Sequence, residues 1–407
     1  MMNDIRKDYL ASLLEKMGQV LDITPTQHKE AVAKYEAVAN YLKGDETIAQ
    51  YDLHMYPQGS FGLGTVTKPD TDVDELDIDL VCELKKATHN NLTQKKLKKL
   101  IGDRLLSGMY KDMVCTPDGR RCWRIDYAES TRFHLDVLAA IPDSSPAISG
   151  WAGVKDYSDT AISITDKEHP EYEIYSRDWP KSNPLGYREW FKDQMLVQLN
   201  ESKRMFSVKN NVKIDEVPDY EVKTPLQRAV QLMKRHRNQM FCDSSSLDYD
   251  DKPISIIITT LAAKAYSNEA NLYDALMNIL EGMPNYIKRK IVSGKSVTWV
   301  ENPVDHRENF ADKWEAFPVR EANFHLWLAE AKRFFSQLLS AEKIQNLNES
   351  LRRSMGDKLV TKTLSEFGNS ARTAREMGSL GFVPGTGFIT ESAAKKIPNH
   401  TFHGNKE

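Results

Sequence analysis

Apolar residues recur along this chain with two different periods, and the switch between them outlines the fold. Up to Leu42 the spacing is helical. Ile5 to Gly18 and Thr26 to Leu42 are predicted helices, the second beginning beside Pro25 and carrying Ala31, Val32, Tyr35, Val38, Ala39 and Leu42 on one side. Both are expected to pack behind a sheet. From Leu76 the period shortens to two. Leu76-Asp77-Ile78-Asp79-Leu80-Val81, Cys122-Trp123-Arg124-Ile125-Asp126-Tyr127 and the run from Arg132 to Ile141 are predicted strands. Glu129-Ser130-Thr131 turns the second into the third as a hairpin, and a basic helix from Thr93 to Leu106 separates the first two. These elements predict an α/β core through roughly Ala140.

The residues between Asp143 and Asp166 are loop-rich. A helix then starts at Asn183-Pro184, where Asn caps and Pro suits the first turn, with Trp190, Phe191 and Met195 as its apolar face. Polar residues from Lys209 to Asp219 mark the expected domain change. After them, Thr224-Pro225 opens a helix with Leu226, Val230, Met233 and Arg237 on one side. Pro253 to Ala263 is ambiguous, because its β-branched run favours a strand while its length and Ala-rich end suit a buried helix. Ala322 to Leu339 is again amphipathic. From Phe367 onward glycines punctuate a stretch of little periodicity, and Gly378 to Glu407 is expected to be a mobile tail. The expected organisation is thus a core with N-terminal helices over residues 1–215, a helical domain over 216–366 and a tail over 367–407.

The strands carry the chemistry. Residues two apart on a strand share a face, so Asp77 and Asp79 project together while Ile78 and Leu80 face the core. Parallel carboxylates repel unless a cation lies between them. Upstream, Gln58-Gly59-Ser60-Phe61-Gly62-Leu63-Gly64-Thr65 is a glycine-rich turn whose N–H groups can hold phosphate oxygens. Either feature alone is common, the one as an ordinary turn and the other as a solvated strand face. In this order they describe a carboxylate pair for Mg²⁺ beside a phosphate cradle, which is what nucleotidyl transfer requires. Asp136 adds a third carboxylate, on the strand face opposite Phe133, Leu135 and Val137 and between His134 and Leu138. A two-metal transfer needs such a ligand for the ion that activates the attacking hydroxyl, while the first pair can bridge both ions. Asp126 is the competing candidate, but it sits beside the polar turn.

Composition narrows the partners. At 407 residues, 40% of them hydrophobic, the chain can build two domains, and no stretch approaches the roughly 20 apolar residues of a membrane span. Residues Met1 to Lys7 lack the apolar core of a signal peptide. Cys82, Cys115, Cys122 and Cys242 form no Cys-x-x-Cys pair, which suggests neither a zinc site nor a disulfide framework and fits a cytoplasmic location. A net charge of −3 argues against binding long nucleic acid. Basic clusters such as Lys95-Lys96-Leu97-Lys98-Lys99 and Lys288-Arg289-Lys290 read as solvated faces.

Gln58-Gly59-Ser60, Asp77-x-Asp79 and Asp136 resemble the polymerase-β-type nucleotidyltransferase signature. Trp179 to Tyr187, Leu226 to Arg237, Asn302-Pro303 and Glu308 to Trp314 narrow the resemblance to the bacterial cGAS/DncV-like nucleotidyltransferases (CD-NTases) of CBASS anti-phage systems, over roughly residues 50–320. The resemblance implies an α+β fold, with a polymerase-β-like core, a C-terminal helical domain and the active site in the cleft between them. It makes Pro253 to Ala263 a helix. Attack of a ribose hydroxyl on an NTP α-phosphorus would release pyrophosphate, and repeated transfer would close a cyclic di- or trinucleotide that activates a separate effector. Asp77, Asp79 and Asp136 would hold two Mg²⁺ ions, with Mn²⁺ as an alternative. Gly59, Ser60 and Lys234 would hold the triphosphate of an NTP, ATP being among those expected, and Ser255 would meet a phosphate or cap its own helix. The C-terminal tail would be a substrate for an E1/E2-like ligase. Two other functions fit the same residues: a nucleotidyltransferase acting on RNA ends or protein side chains, and a catalytically inactive nucleotide-binding module.

Overall fold

The structure is a computed structural model that describes residues 2–69, 76–127, 133–143, 156–341, 344–382, 389–390 and 395–396. The chain forms two compact units. One comprises Ile23–Asp193 with Asn302–Glu308; the other comprises Met1–Asp22, Gln194–Glu301 and Asn309–Glu407. The first helix, α1 (Met2–Leu21), belongs to the second of these.

The first unit is built on a mixed sheet. Helix α2 (Pro25–Lys43) starts with a reciprocal cap in which the Thr24 side chain accepts from Gln27 N–H and the Gln27 side chain from Thr24 N–H. A short helix, α3 (Glu46–Ala49), leads into strand β1 (Leu53–Pro57), and a single turn, α4 (Gly59–Gly62), follows it. Then come β2 (Leu76–Leu84), α5 (Gln94–Leu105), β3 (Cys122–Asp126), β4 (Phe133–Pro142), β5 (Ile162–Ile164), β6 (Lys181–Ser182) and α6 (Pro184–Gln194). The strands run β1-β2-β4-β5-β6, with β3 also paired to β4. Strands β2 and β4 are parallel and every other pair in the sheet is antiparallel. The hairpin partnership of β3 and β4 is as expected; its connecting residues lie outside the described ones.

One face of the sheet is apolar throughout. Ile78 and Leu80 of β2 and Leu135 and Val137 of β4 pack with Ala31, Val38 and Leu42 of α2 and Leu97, Ile101 and Leu105 of α5. The closest approach is at Gly102, where a Cβ would lie 2.0 Å from the Trp123 ring, so only glycine lets α5 settle on β3. The other face is divided. Val81, Leu138, Ala140 and Ile162 bury its C-terminal half under a second apolar cluster, which leaves polar side chains to the N-terminal ends of β2 and β4.

The second unit is largely helical: α1, α7 (Leu196–Asn210), α8 (Pro225–Asp243), α9 (Ser255–Ala265), α10 (Leu272–Gly282), α11 (Pro318–Ser340), α12 (Ile344–Met355) and α13 (Asp357–Glu376), with a hairpin of β7 (Lys288–Val292) and β8 (Lys295–Trp299). The α+β organisation is therefore present, but three details differ from the sequence reading. Helix α1 packs on α8, α10, α11 and α13 rather than behind the sheet. It buries Leu10, Leu13, Leu14 and Met17 there, and its Glu15 accepts from buried Arg228 at 2.9 Å. The two units part at Asp193 and Gln194, ahead of the polar stretch expected to mark the change. Helix α13 runs past Phe367 to Glu376, because Leu359, Val360 and Ala374 bury one side of it and Phe367 meets Tyr9 edge-on. The ambiguous run from Pro253 is the helix α9, whose Ile257, Ile258 and Leu261 are buried among neighbouring helices. No helix among the described residues is long and apolar enough to cross a membrane.

Candidate active site

Strand register assembles the site. In the parallel β2/β4 pair, Asp77 stands opposite His134 and Asp79 opposite Asp136; across β4, Arg124 stands opposite Asp136 and Asp126 opposite His134. The pleat turns all six toward the face left polar. Three of them converge: ligand atoms of Asp77, His134 and Asp136 lie within 4.8 Å of one another. His134 Nε2 is 3.0 Å from Asp77 Oδ1. Asp126, the competitor for third carboxylate, is engaged elsewhere, by Arg124 Nε at 2.9 Å and Cys115 Sγ at 2.9 Å.

Asp79 takes a different neighbour. Its carboxylate lies over Gly59, where a Cβ would come within 2.3 Å of Oδ2, and its backbone carbonyl accepts from Gln58 N–H at 2.8 Å. Gly59 has a φ of +58°, a left-handed conformation that side chains disfavour. The glycine-rich turn is thus seated directly on the Asp-x-Asp strand. As the opening of a helical turn, it presents the N–H groups of Gly59, Ser60 and Phe61, which have no intrahelical acceptor. Phe61 is held by stacking on His28 of α2, ring centroids 5.0 Å apart.

The electrostatics suit a cation. Burial pushes the Asp136 carboxyl above its usual range and the negative Asp77 adds to this, against the opposing pull of His134 and Arg124. Burial, reinforced by the same carboxylates, pushes the Cys122 thiol up to about 12, so it stays protonated. Two facing carboxylates, one of them half-buried, are a donor set that a divalent ion would stabilise.

The nucleotidyltransferase-domain profile described as "Cyclic GMP-AMP synthase DncV-like" matches residues 53–139, the span from β1 to the middle of β4. A c-di-GMP synthase of Roseivirga ehrenbergii is 30% identical over 404 residues, 98% of each chain. The chain belongs to the DncV-like nucleotidyltransferases. It is accordingly an enzyme, a nucleotidyltransferase of the cyclic-oligonucleotide-synthase kind. The cyclic dinucleotide synthase CdnG of Bradyrhizobium diazoefficiens is 23% identical, over 91% of this chain and 86% of its own. The structure of that CD-NTase in complex with GTP matches the fold with a TM-score of 0.65 at 20% identity, over 88% of this chain and 99% of the other.

Within this DncV-like enzyme, Asp77, Asp79, Asp136, Gly59 and Ser60 fall together in the sheet unit, and Lys234 and Ser255 in the helical one. Lys234 is a buried residue of α8. The hydroxyl of Ser255, in the first turn of α9, accepts from Arg237 Nη1 at 3.0 Å, and the same nitrogen donates to the Pro253 carbonyl at 2.7 Å. Arg235 donates to the Met355 carbonyl at 2.8 Å, and His236 stacks on Phe334. Three members of the basic run Lys234-Arg235-His236-Arg237 therefore have partners inside their own unit. In sequence the signal for His134 is its spacing alone: it precedes Asp136 by two residues, as Asp77 precedes Asp79.

Proposed function

We propose that this protein condenses GTP into a cyclic dinucleotide that signals in anti-phage defence. The observation that carries the reading is the meeting of Asp77 and Asp136 on adjacent parallel strands, beside the Gly59 turn, in a chain 30% identical throughout to a c-di-GMP synthase. GTP is the favoured substrate because that relative is named for a guanine product and the solved CdnG carries GTP.

Asp77, Asp79 and Asp136 would hold Mg²⁺. When bound, such ions supply activation of the attacking ribose hydroxyl and neutralise charge on the leaving pyrophosphate. The chain's own residues do the positioning. The N–H groups of Gly59 and Ser60 orient phosphate oxygens. Gly59 also lets the cradle lie against Asp79, which brings bound phosphate to the carboxylates without a side chain between them. Arg124 offsets the negative charge at Asp136 before substrate arrives. The signalling role, through an effector that recognises the product and a ligase acting on the C-terminal tail, follows from the CBASS resemblance; residues 397–407 lie outside the described ones.

The test is to incubate the purified protein with each NTP alone and with all four, without an added acceptor, and to identify products by mass spectrometry and nuclease P1 sensitivity. Cyclic di-GMP from GTP alone is the expected result. Pyrophosphate release only when RNA or protein acceptor is added would replace this reading with end-modification, and no release under any condition would leave a nucleotide-binding module.

A further inference from the structure

We propose that His134 is an inner-sphere ligand of the divalent ion held by Asp77 and Asp136, and that it biases this position toward Mn²⁺ over Mg²⁺. The inference rests on the reading above that these carboxylates bind a divalent ion. It departs from a ligand set made only of carboxylates.

Geometry carries it. The three side chains offer atoms all within 4.8 Å of one another, and His134 Nε2 lies 3.0 Å from Asp77 Oδ1. On an octahedral ion with bonds of about 2.1 Å, adjacent ligand atoms are about 3.0 Å apart and opposite ones about 4.2 Å. The observed spacing is that of two adjacent ligands. The strands enforce it: His134 is in register with Asp77 across the parallel pair and two residues before Asp136 on the same face. The His134 side chain is only 10% exposed, so its ring is already ordered and loses little freedom on binding. Meanwhile Asp79 leans on Gly59. The trio that converges is two carboxylates and an imidazole.

Chemistry gives the direction of the bias. Mg²⁺ takes oxygen ligands and keeps several waters, whereas imidazole nitrogen favours first-row transition ions. A nitrogen donor in the set therefore strengthens Mn²⁺ binding more than Mg²⁺ binding.

The experiment uses the full chain without nucleotide. Mn²⁺ alone is added, and electron spin-echo envelope modulation is recorded on protein with ¹⁴N- or ¹⁵N-labelled histidine. Binding constants for Mn²⁺, and for Mg²⁺ by competition, come from the free-Mn²⁺ EPR signal. The wild type is expected to show directly coordinated histidine nitrogen. In His134→Asn that coupling disappears, Mn²⁺ binding weakens roughly tenfold or more, and Mg²⁺ binding weakens by less than about threefold. Bound Mn²⁺ without histidine coupling in the wild type would overturn the proposal and make His134 a hydrogen-bond partner of Asp77, leaving the carboxylate site intact. If Asp136→Asn bound Mn²⁺ as tightly as the wild type, the carboxylate reading itself would fail, and this inference with it. The wild-type measurement stands whether or not either variant folds.

Discussion

Asp77 and Asp79 share a strand face yet meet different neighbours, one facing His134 and Asp136 and the other a glycine. The half-buried Asp136 carboxylate is the costly member of this group without a metal. Its folded pKa is raised above the unfolded value, so the stability it contributes is full at low pH and lost as pH rises through the folded pKa. At neutral pH Asp136→Asn should therefore raise the melting temperature of metal-free protein while abolishing product formation. A calorimetric scan in EDTA beside a pyrophosphate assay checks both halves. His236 works in the opposite sense. Burial lowers its pKa to about 4, and it stacks on Phe334 of α11 with Nδ1 unsatisfied. Its stability contribution is complete above the unfolded pKa of about 6.5 and is lost as pH falls toward 4, with a slope approaching 1.4 kcal/mol per pH unit. Denaturant titrations across that window should show the slope in the wild type and a flatter profile in His236→Phe.

Helix α1 illustrates how an element is recruited. Its apolar stripe predicts a buried helix but not which surface buries it. Arg228 supplies part of the answer: it is 4% exposed, donating to Glu15 at 2.9 Å and to Asp22 at 2.7 Å, both contributed by the N-terminal segment. Gln231 adds a third contact, donating to Asp22 at 2.9 Å. Removing both carboxylates would strand a buried guanidinium. The double variant Glu15→Gln, Asp22→Asn should lose about 3–5 kcal/mol in chemical denaturation, whereas Glu201→Gln, an exposed pair with Arg204, should change little. Equal effects would remove the burial argument. Helix α9 makes the complementary point. Its β-branched residues have strand propensity, and burial between α8 and α10 overrides it.

For the whole molecule, the near-neutral charge matters more than any local basic run. With a net charge of −3 and Arg235, His236 and Arg237 committed to internal partners, no strongly basic surface is implied by the composition. Added duplex DNA should leave the rate of product formation unchanged, without the steep salt dependence of a phosphate-backbone binder. The same rate measured after deletion of residues 398–407 should match that of the full chain, since that polar segment is too short to bury a core; loss of synthesis in vitro would assign it to the catalytic fold.

Sequence alone determined what depends on neighbours along the chain. The period-two runs at β2, β3 and β4, the helix openings at Asn183-Pro184 and Thr224-Pro225, and the shared strand face of Asp77 and Asp79 are local consequences of side-chain alternation and hydrogen bonding, and they appear at the expected residues. Tertiary structure decided what depends on register and on partners distant in sequence. That β2 and β4 run parallel with Asp77 opposite His134 is set by the chain between them and by the cores on the sheet's two faces. The same holds for Asp79, turned toward Gly59, for α1 joining the helical unit to meet Arg228, and for the continuation of α13 past Phe367. Each is a choice among surfaces that the local pattern leaves equally good, and only close packing and the pairing of buried charge distinguish them.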